Sequence, residues 1–149
     1  MSNSQIDDIN VSISRYLKIR EHSKKELVDK LSKKKYNLEE ILTCIDDYSN
    51  QNLQSDKRYT EDYIRVKFNA GKGPNFIENF LKHQQIPKEL INDALSQYTQ
   101  SDWVDRAIMS LKKKFKNNVK DERRDKLKSF LSYRGFPYDI IELAIKECK

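Results

Sequence analysis

Apolar residues recur along the chain in steps of three and four, with polar residues filling the intervals, the pattern of a helix with one buried face. Between Ser4 and Arg20 the stripe is Ile6, Ile9, Ile13, Tyr16 and Leu17. It is interrupted at REHSKKEL, where Ser23 and Glu26 form a capping box: the hydroxyl accepts an orphan amide hydrogen and the carboxylate reaches back. Asn37 and Glu40 open a further helix in the same way. A second group of helices starts near SDKRY, breaks at AGKGP, where Pro74 suits a first turn, and restarts at Pro87. A third starts at Ser101 or Asp102, breaks around NNVKDERR and restarts at Pro137. Nine helices are expected.

The pattern also repeats itself. KLSKKKYNLEEILTCI, FLKHQQIPKELINDAL and FLSYRGFPYDIIELAI follow one another at an offset of fifty residues without a gap. Overlaid, they align Leu31, Leu81 and Leu131, then Tyr36, Ile86 and Phe136, then Ile41, Ile91 and Ile141. Cys44, Ala94 and Ala144 coincide next, followed by Ile45, Leu95 and Ile145. A period of this length marks stacked supersecondary units. The spacing therefore predicts an all-α chain of three tandem three-helix repeats, 1–53, 54–100 and 101–149, stacked into an elongated, curved body. The second and third helices of each repeat are short enough to be marginal alone in water, so packing must stabilise them. Leu31, Leu81 and Leu131 are expected to be buried at equivalent places.

Composition leaves this picture unchanged: 35% of residues are charged and 37% hydrophobic, and with only three Gly and three Pro nothing suggests a sheet. No apolar run approaches the roughly 18 residues needed to span a bilayer. The start MSNSQIDDIN lacks the basic and apolar segments of a secretory signal, so a cytoplasmic protein without membrane contact is expected. Cys44 and Cys148 both fall on the apolar periodicity and are expected as reduced, packed thiols without a disulfide.

Charge does change the picture. Through Asp102 the chain has 16 Lys and Arg against 16 Asp and Glu; from Trp103 onward it has 13 against 7, which is the whole net charge of +6. The excess is concentrated in residues 112 to 128, KKKFKNNVKDERRDKLK, with nine basic and three acidic side chains. A solvated helix end is the ordinary reading of such a run; a patch for phosphates or an acidic protein groove is the sharper one. Trp103, Tyr133 and Tyr138 would supply stacking, although aromatics at helical spacing ordinarily belong to a core.

Catalytic chemistry is nearly absent. His22, beside a helix start, and His83, in a polar helical stretch, are expected as surface side chains, and no metal site can be assembled from them. AGKGP lacks the GxxxxGK spacing and preceding strand of a phosphate loop and reads as a turn between helices. The pairs Glu39 and Glu40, and Asp46 and Asp47, are adjacent on helices and point apart. A binding protein is predicted, not an enzyme, with no metal and no cofactor.

Three segments, REHSKKEL at 20–27, DKRYTEDYIRVKFNAGKGPNFI at 56–77 and RRDKLKSFLSYRGFPYDIIELAI at 123–145, resemble the successive signatures of RecX, the regulator of the bacterial recombinase RecA. The resemblance covers about 15 to 148 and implies three tandem three-helix repeats. It further implies a monomer that binds RecA filaments on DNA in their helical groove and restrains ATP hydrolysis, strand exchange and the coprotease activity behind the SOS response. Candidate contacts are polar positions that the repeat pattern does not need for its core: Arg65, Lys67 and Lys72, and Lys112, Lys113, Lys114, Arg123, Arg124 and Lys128. Direct DNA contact through the basic third repeat is the alternative. The family often has glycine before the apolar residue preceding each third helix. Only Gly135 keeps it here, and Lys35 and Gln85 stand at the equivalent places, where a left-handed backbone would cost about 1 kcal/mol.

Overall fold

The computed structural model describes residues 2–149, and among them all regular structure is helical. Nine α-helices follow in order: α1 (Ser2–Ile19), α2 (Lys24–Lys33), α3 (Leu38–Asn50), α4 (Asp56–Asn69), α5 (Pro74–His83), α6 (Lys88–Leu95), α7 (Gln100–Phe115), α8 (Arg124–Tyr133) and α9 (Tyr138–Cys148), with a 3₁₀ turn at Lys116–Asn118. The chain forms two compact units. One takes in the chain through Asp62 together with Gln84–Ile86; the other takes in Tyr63–His83 and Pro87–Lys149.

In the first unit α1, α2 and α3 pack around Ile9, Ile13, Leu27, Leu31, Ile41, Cys44 and Ile45, with Ile6, Tyr16 and Leu17 against them. The α1 stripe is therefore the buried face that its spacing predicts. Each fully buried Leu or Ile contributes about 1.5–3 kcal/mol. The capping box at α2 is formed: the Glu26 amide donates to Ser23 Oγ at 3.1 Å and the Ser23 amide to Glu26 Oε1 at 3.3 Å. Asn37 caps α3 by accepting from the Glu40 amide, but Glu40 does not return the bond; the Asn37 amide donates instead to Gln5 Oε1 at 2.9 Å. Beyond α3, the buried Gln54 amide bonds the His22 carbonyl and Asp56, whose carboxylate also accepts from the Lys24 amide. These bonds tie the start of α4 to the turn between α1 and α2.

That turn corrects one expectation. His22 is no surface side chain: it is 1% exposed, while His83 is exposed as expected. Its Nδ1 lies 3.0 Å from the Arg20 carbonyl oxygen and its Nε2 2.9 Å from Lys30 Nζ. Lys30 has only protons to give, so Nε2 accepts and the ring proton sits on Nδ1, donated to the carbonyl. Burial lowers the His22 pKa from its ordinary value of 6.5, and the Arg20 and Lys30 cations push the same way, against the Arg20 carbonyl and Glu26. Between the lowered value and 6.5 the unfolded chain takes up a proton that the folded chain refuses. Stability should thus be level above about pH 6.5 and fall as pH drops from there through the folded value. Burial pushes the Glu26 carboxyl up, but Arg20 more than reverses it, so its contribution is lost only at lower pH. Urea midpoints measured from pH 7.5 to 5 check this; His22→Asn, which keeps a donor near Nδ1, should flatten that window.

In the second unit α7 and α8 pack on α9, and α5 on α6. Leu81, Ile91, Leu111, Leu127, Leu131 and Ile145 are wholly buried or nearly so. With Leu31 also at 0%, all three leucines of the fifty-residue overlay are inaccessible. Two overlay positions are only half-buried, Tyr36 and Leu95. Helix α7 begins slightly ahead of its expected start, because Thr99 and Asp102 make a capping box that draws Gln100 into the helix. Pro74 occupies the first position of α5, whereas Pro87 and Pro137 each stand one residue before their helices. The backbone is left-handed at Lys35 (φ 66°), Gln85 (φ 58°) and Gly135 (φ 99°), so the turn that the family glycine serves is retained where Lys and Gln replace it. Both cysteines are free.

Candidate partner-binding surface

All nine candidate contact residues lie in the second unit. Lys112, Lys113 and Lys114 form the exposed last turn of α7, where cations are favoured by the helix dipole. Lys112 also lines a cavity of about 720 Å³ with Lys116, Lys120 and Cys148. Further on, Arg123 is 3.7 Å from Asp125. Arg124 and Lys128, from one face of α8, converge on Glu142 of α9 at 3.7 and 2.9 Å. Lys128 holds the Glu142 carboxyl below its usual range, with Arg124 adding to the effect. The basic run is thus partly self-neutralised on α8, whereas among the described residues the three α7 lysines make no salt bridge, Asp105 and Glu147 sharing only the cavity with Lys112.

The candidates on α4 and in the turn after it form a different group. Arg65 is exposed, and Lys67 and Lys72 are half-buried with Nζ 5.6 Å from the centre of the Tyr63 ring and 4.7 Å from that of Phe76. The Lys72 pKa is lowered by burial and then by two cations, Arg134 and Lys67. Arg134 was not a candidate from sequence. It joins this group because the turn after α8 crosses the turn before α5: the Gly73 amide donates to the Arg134 carbonyl and the Asn75 amide to the Gly135 carbonyl, each at 2.9 Å. No local pattern signals a contact between residues so far apart in the chain. Among the described residues none of Lys67, Lys72 and Arg134 has a carboxylate within ion-pair distance.

The aromatic residues divide. Trp103 is buried against Phe68 and Tyr98, as core aromatics are. Tyr133 and Tyr138 are 89% and 71% exposed, so neither belongs to the core. They border a groove of about 600 Å³ floored by Phe136, Pro137 and Ile141, with Asn75 and Lys128 on its rim.

Comparison with known proteins gives this surface its context. The family descriptions "RecX, first three-helix domain", "RecX, second three-helix domain" and "RecX, third three-helix domain" match residues 14–47, 55–95 and 100–145 in order. The regulatory protein RecX of Acinetobacter baylyi is 38% identical over 128 residues, 85% of this chain and 79% of the relative. The chain belongs to the RecX family. The regulatory protein RecX of Legionella pneumophila is 36% identical over 140 residues, covering 93% of both chains. The crystal structure of RecX from Lactobacillus salivarius superposes with a TM-score of 0.84 at 29% identity over 97% of each chain. These RecX relatives are regulatory proteins by name, and the three-helix repeats read from the fifty-residue offset are the domains of the family. Among the described residues no three His, Cys, Asp or Glu side chains are placed to hold a metal ion, and no helix is long and apolar enough to cross a membrane.

Proposed function

We propose that the protein regulates RecA: as a cytoplasmic monomer without cofactor it binds RecA filaments on DNA in their helical groove and restrains ATP hydrolysis, strand exchange and the coprotease step of the SOS response. The observation that carries this reading is the run of three RecX domains, in order, across residues 14–145. The repeats are 1–53, 54–100 and 101–149. A body that touches neighbouring filament subunits changes their activity only if it binds one filament state better than another, so inhibition measures that preference. The contacts are Arg65, Lys67, Lys72, Lys112, Lys113, Lys114, Arg123, Arg124 and Lys128.

Replacing Lys113, Lys114, Arg123 and Arg124 together by Glu should raise the concentration needed to slow DNA-dependent ATP hydrolysis by RecA on the order of tenfold or more at moderate salt. Each exposed charge contributes under about 1 kcal/mol, so single replacements should do little. The helices should persist in circular dichroism, because all four side chains are exposed. Equal inhibition by the folded variant defeats the role of these four; a wild-type protein without effect on RecA defeats the reading itself. A second reading, direct nucleic-acid binding through the basic third repeat, is favoured by the exposure of Tyr133 and Tyr138 beside that repeat's cations.

A further inference from the structure

We infer that the groove between Tyr133 and Tyr138, with Lys128 on its rim, is a binding site for single-stranded nucleic acid whose unpaired bases stack on the two tyrosine rings and whose backbone runs on towards Lys67, Lys72 and Arg134. The inference rests on the second reading above and specifies it: the strand is unpaired, and the tyrosines select it.

The first support is that the fold does not ask for these tyrosines. At the fifty-residue offset the places of Tyr133 are Lys33 and His83, and those of Tyr138 are Leu38 and Lys88, all exposed. Repeats one and two thus build the same turn with other side chains there, and only the third sets two aromatic rings in solvent. A lone exposed tyrosine is unremarkable, but two on one groove, with Lys128 Nζ 5.9 Å from the centre of the Tyr138 ring, form a stacking platform. Base faces are what such platforms take, whatever the base.

The second support is charge. Arg134 and Lys67 both depress Lys72, and among the described residues none of the three has a carboxylate within ion-pair distance. Such grouping costs energy in the free protein and is relieved by an anion. The Nε of Arg134 has no hydrogen-bond partner, and its guanidinium lies 5.4 Å from the centre of the Phe130 ring. None of these three cations lines the groove, but the crossing links them to it: the Gly73 amide, next to Lys72, bonds the Arg134 carbonyl, and the amide of Asn75, a groove residue, bonds the Gly135 carbonyl. Lys128 is a weaker phosphate anchor, being held by Glu142, and its part is to stand beside the Tyr138 ring. A duplex offers phosphates but hides its base faces, so a patch of cations alone would not discriminate, and the tyrosines would.

The test is fluorescence anisotropy of a labelled oligothymidylate and of a duplex of the same length, each titrated with the full chain and no RecA present. Wild type should prefer the single strand. Tyr133→Ala with Tyr138→Ala should weaken oligothymidylate binding about tenfold or more and leave duplex binding unchanged, with unaltered circular dichroism. Tyr133→Phe with Tyr138→Phe should keep the affinity, since the ring face and not the hydroxyl carries it. Lys67→Glu with Lys72→Glu should weaken binding and reduce the slope of log Kd against log salt by about 0.7 for each phosphate that the variant no longer neutralises. Oligothymidylate binding unaffected by the alanine pair overturns the inference. If that variant binds the strand normally but no longer slows RecA, the groove belongs to a protein partner. A wild-type chain that binds no oligothymidylate yet slows RecA overturns this inference while leaving the filament reading intact.

Discussion

Gly73→Ala should destabilise the second unit by about 3 kcal/mol or more, combining overpacking with the loss of one or two buried backbone hydrogen bonds. A Cβ at residue 73 would come 2.5 Å from both the carbonyl oxygen of Gly135 and the amide nitrogen of Phe136, and these are backbone atoms that no rotamer change can move. The two turns would have to part, breaking the bonds from the Gly73 and Asn75 amides to the Arg134 and Gly135 carbonyls. Those bonds also satisfy donors at the start of α5, which α5 cannot satisfy internally. Gly135→Ala should cost more. Its Cβ would lie 2.6 Å from the Phe76 amide nitrogen, and its φ of 99° adds a backbone penalty of about 1–2 kcal/mol. Gly71→Ala is the control: its φ is 86°, but its nearest neighbour is the Ser110 hydroxyl, which can rotate, so its cost should be smaller than either. Lys35→Gly and Gln85→Gly should act oppositely, each stabilising by up to about 1 kcal/mol, since both positions hold a left-handed backbone at a helix end. Urea unfolding of the five variants checks the set. A Gly73→Ala protein with the wild-type midpoint would mean that the turns do not cross as described.

The Gly73 crossing shows where reading the sequence stops. Most of what is local was legible: the α1 stripe, the Ser23 box, Pro74 at a first turn, and the overlay of leucines all depend on residues within a turn or two of one another, or on a repeated spacing, although the equally local Thr99 box was passed over. AGKGP was legible as a turn but not as a partner of SYRGF, because a close approach of two backbones leaves only glycine behind, and glycine at a turn has a sufficient local explanation. His22 was misread for a related reason. Its ring lies against Tyr16 and Lys30, on two different helices, while a glutamine more than thirty residues on bonds its carbonyl, and neither Lys30 nor Gln54 lies on an apolar stripe. The candidate surface was legible as charge and not as geometry. Counting placed the excess after Trp103, but only the fold shows that Glu142 neutralises part of α8, that Arg134 completes the Lys67 and Lys72 group, and that Tyr133 and Tyr138 face solvent.

Leu81→Ala should cost about 2–5 kcal/mol, a large share of the 5–15 kcal/mol that typically holds a domain folded. Leu81 is wholly inaccessible, so the lost side chain leaves a cavity as well as forfeiting its burial. Helix α5 makes the loss severe. It has ten residues, too few to persist alone in water, and Ile77 and Leu81 are its buried side chains. Removing one halves the apolar anchorage of the helix whose first turn carries the Gly73 contact. Leu31→Ala and Leu131→Ala should fall in the same range, because both leucines are equally inaccessible and stand at the same place in α2 and α8. Leu95→Ala should cost less than any of the three, since Leu95 is only half-buried although the overlay treats it as equivalent to the buried Ile45 and Ile145. The measurement is equilibrium urea denaturation of the four alanine variants followed by circular dichroism. Three large and similar losses beside one smaller loss are expected if burial at each place sets stability. Equal losses at all four positions, or an unchanged Leu81→Ala protein, would mean that the fifty-residue spacing does not report the packing of the helices.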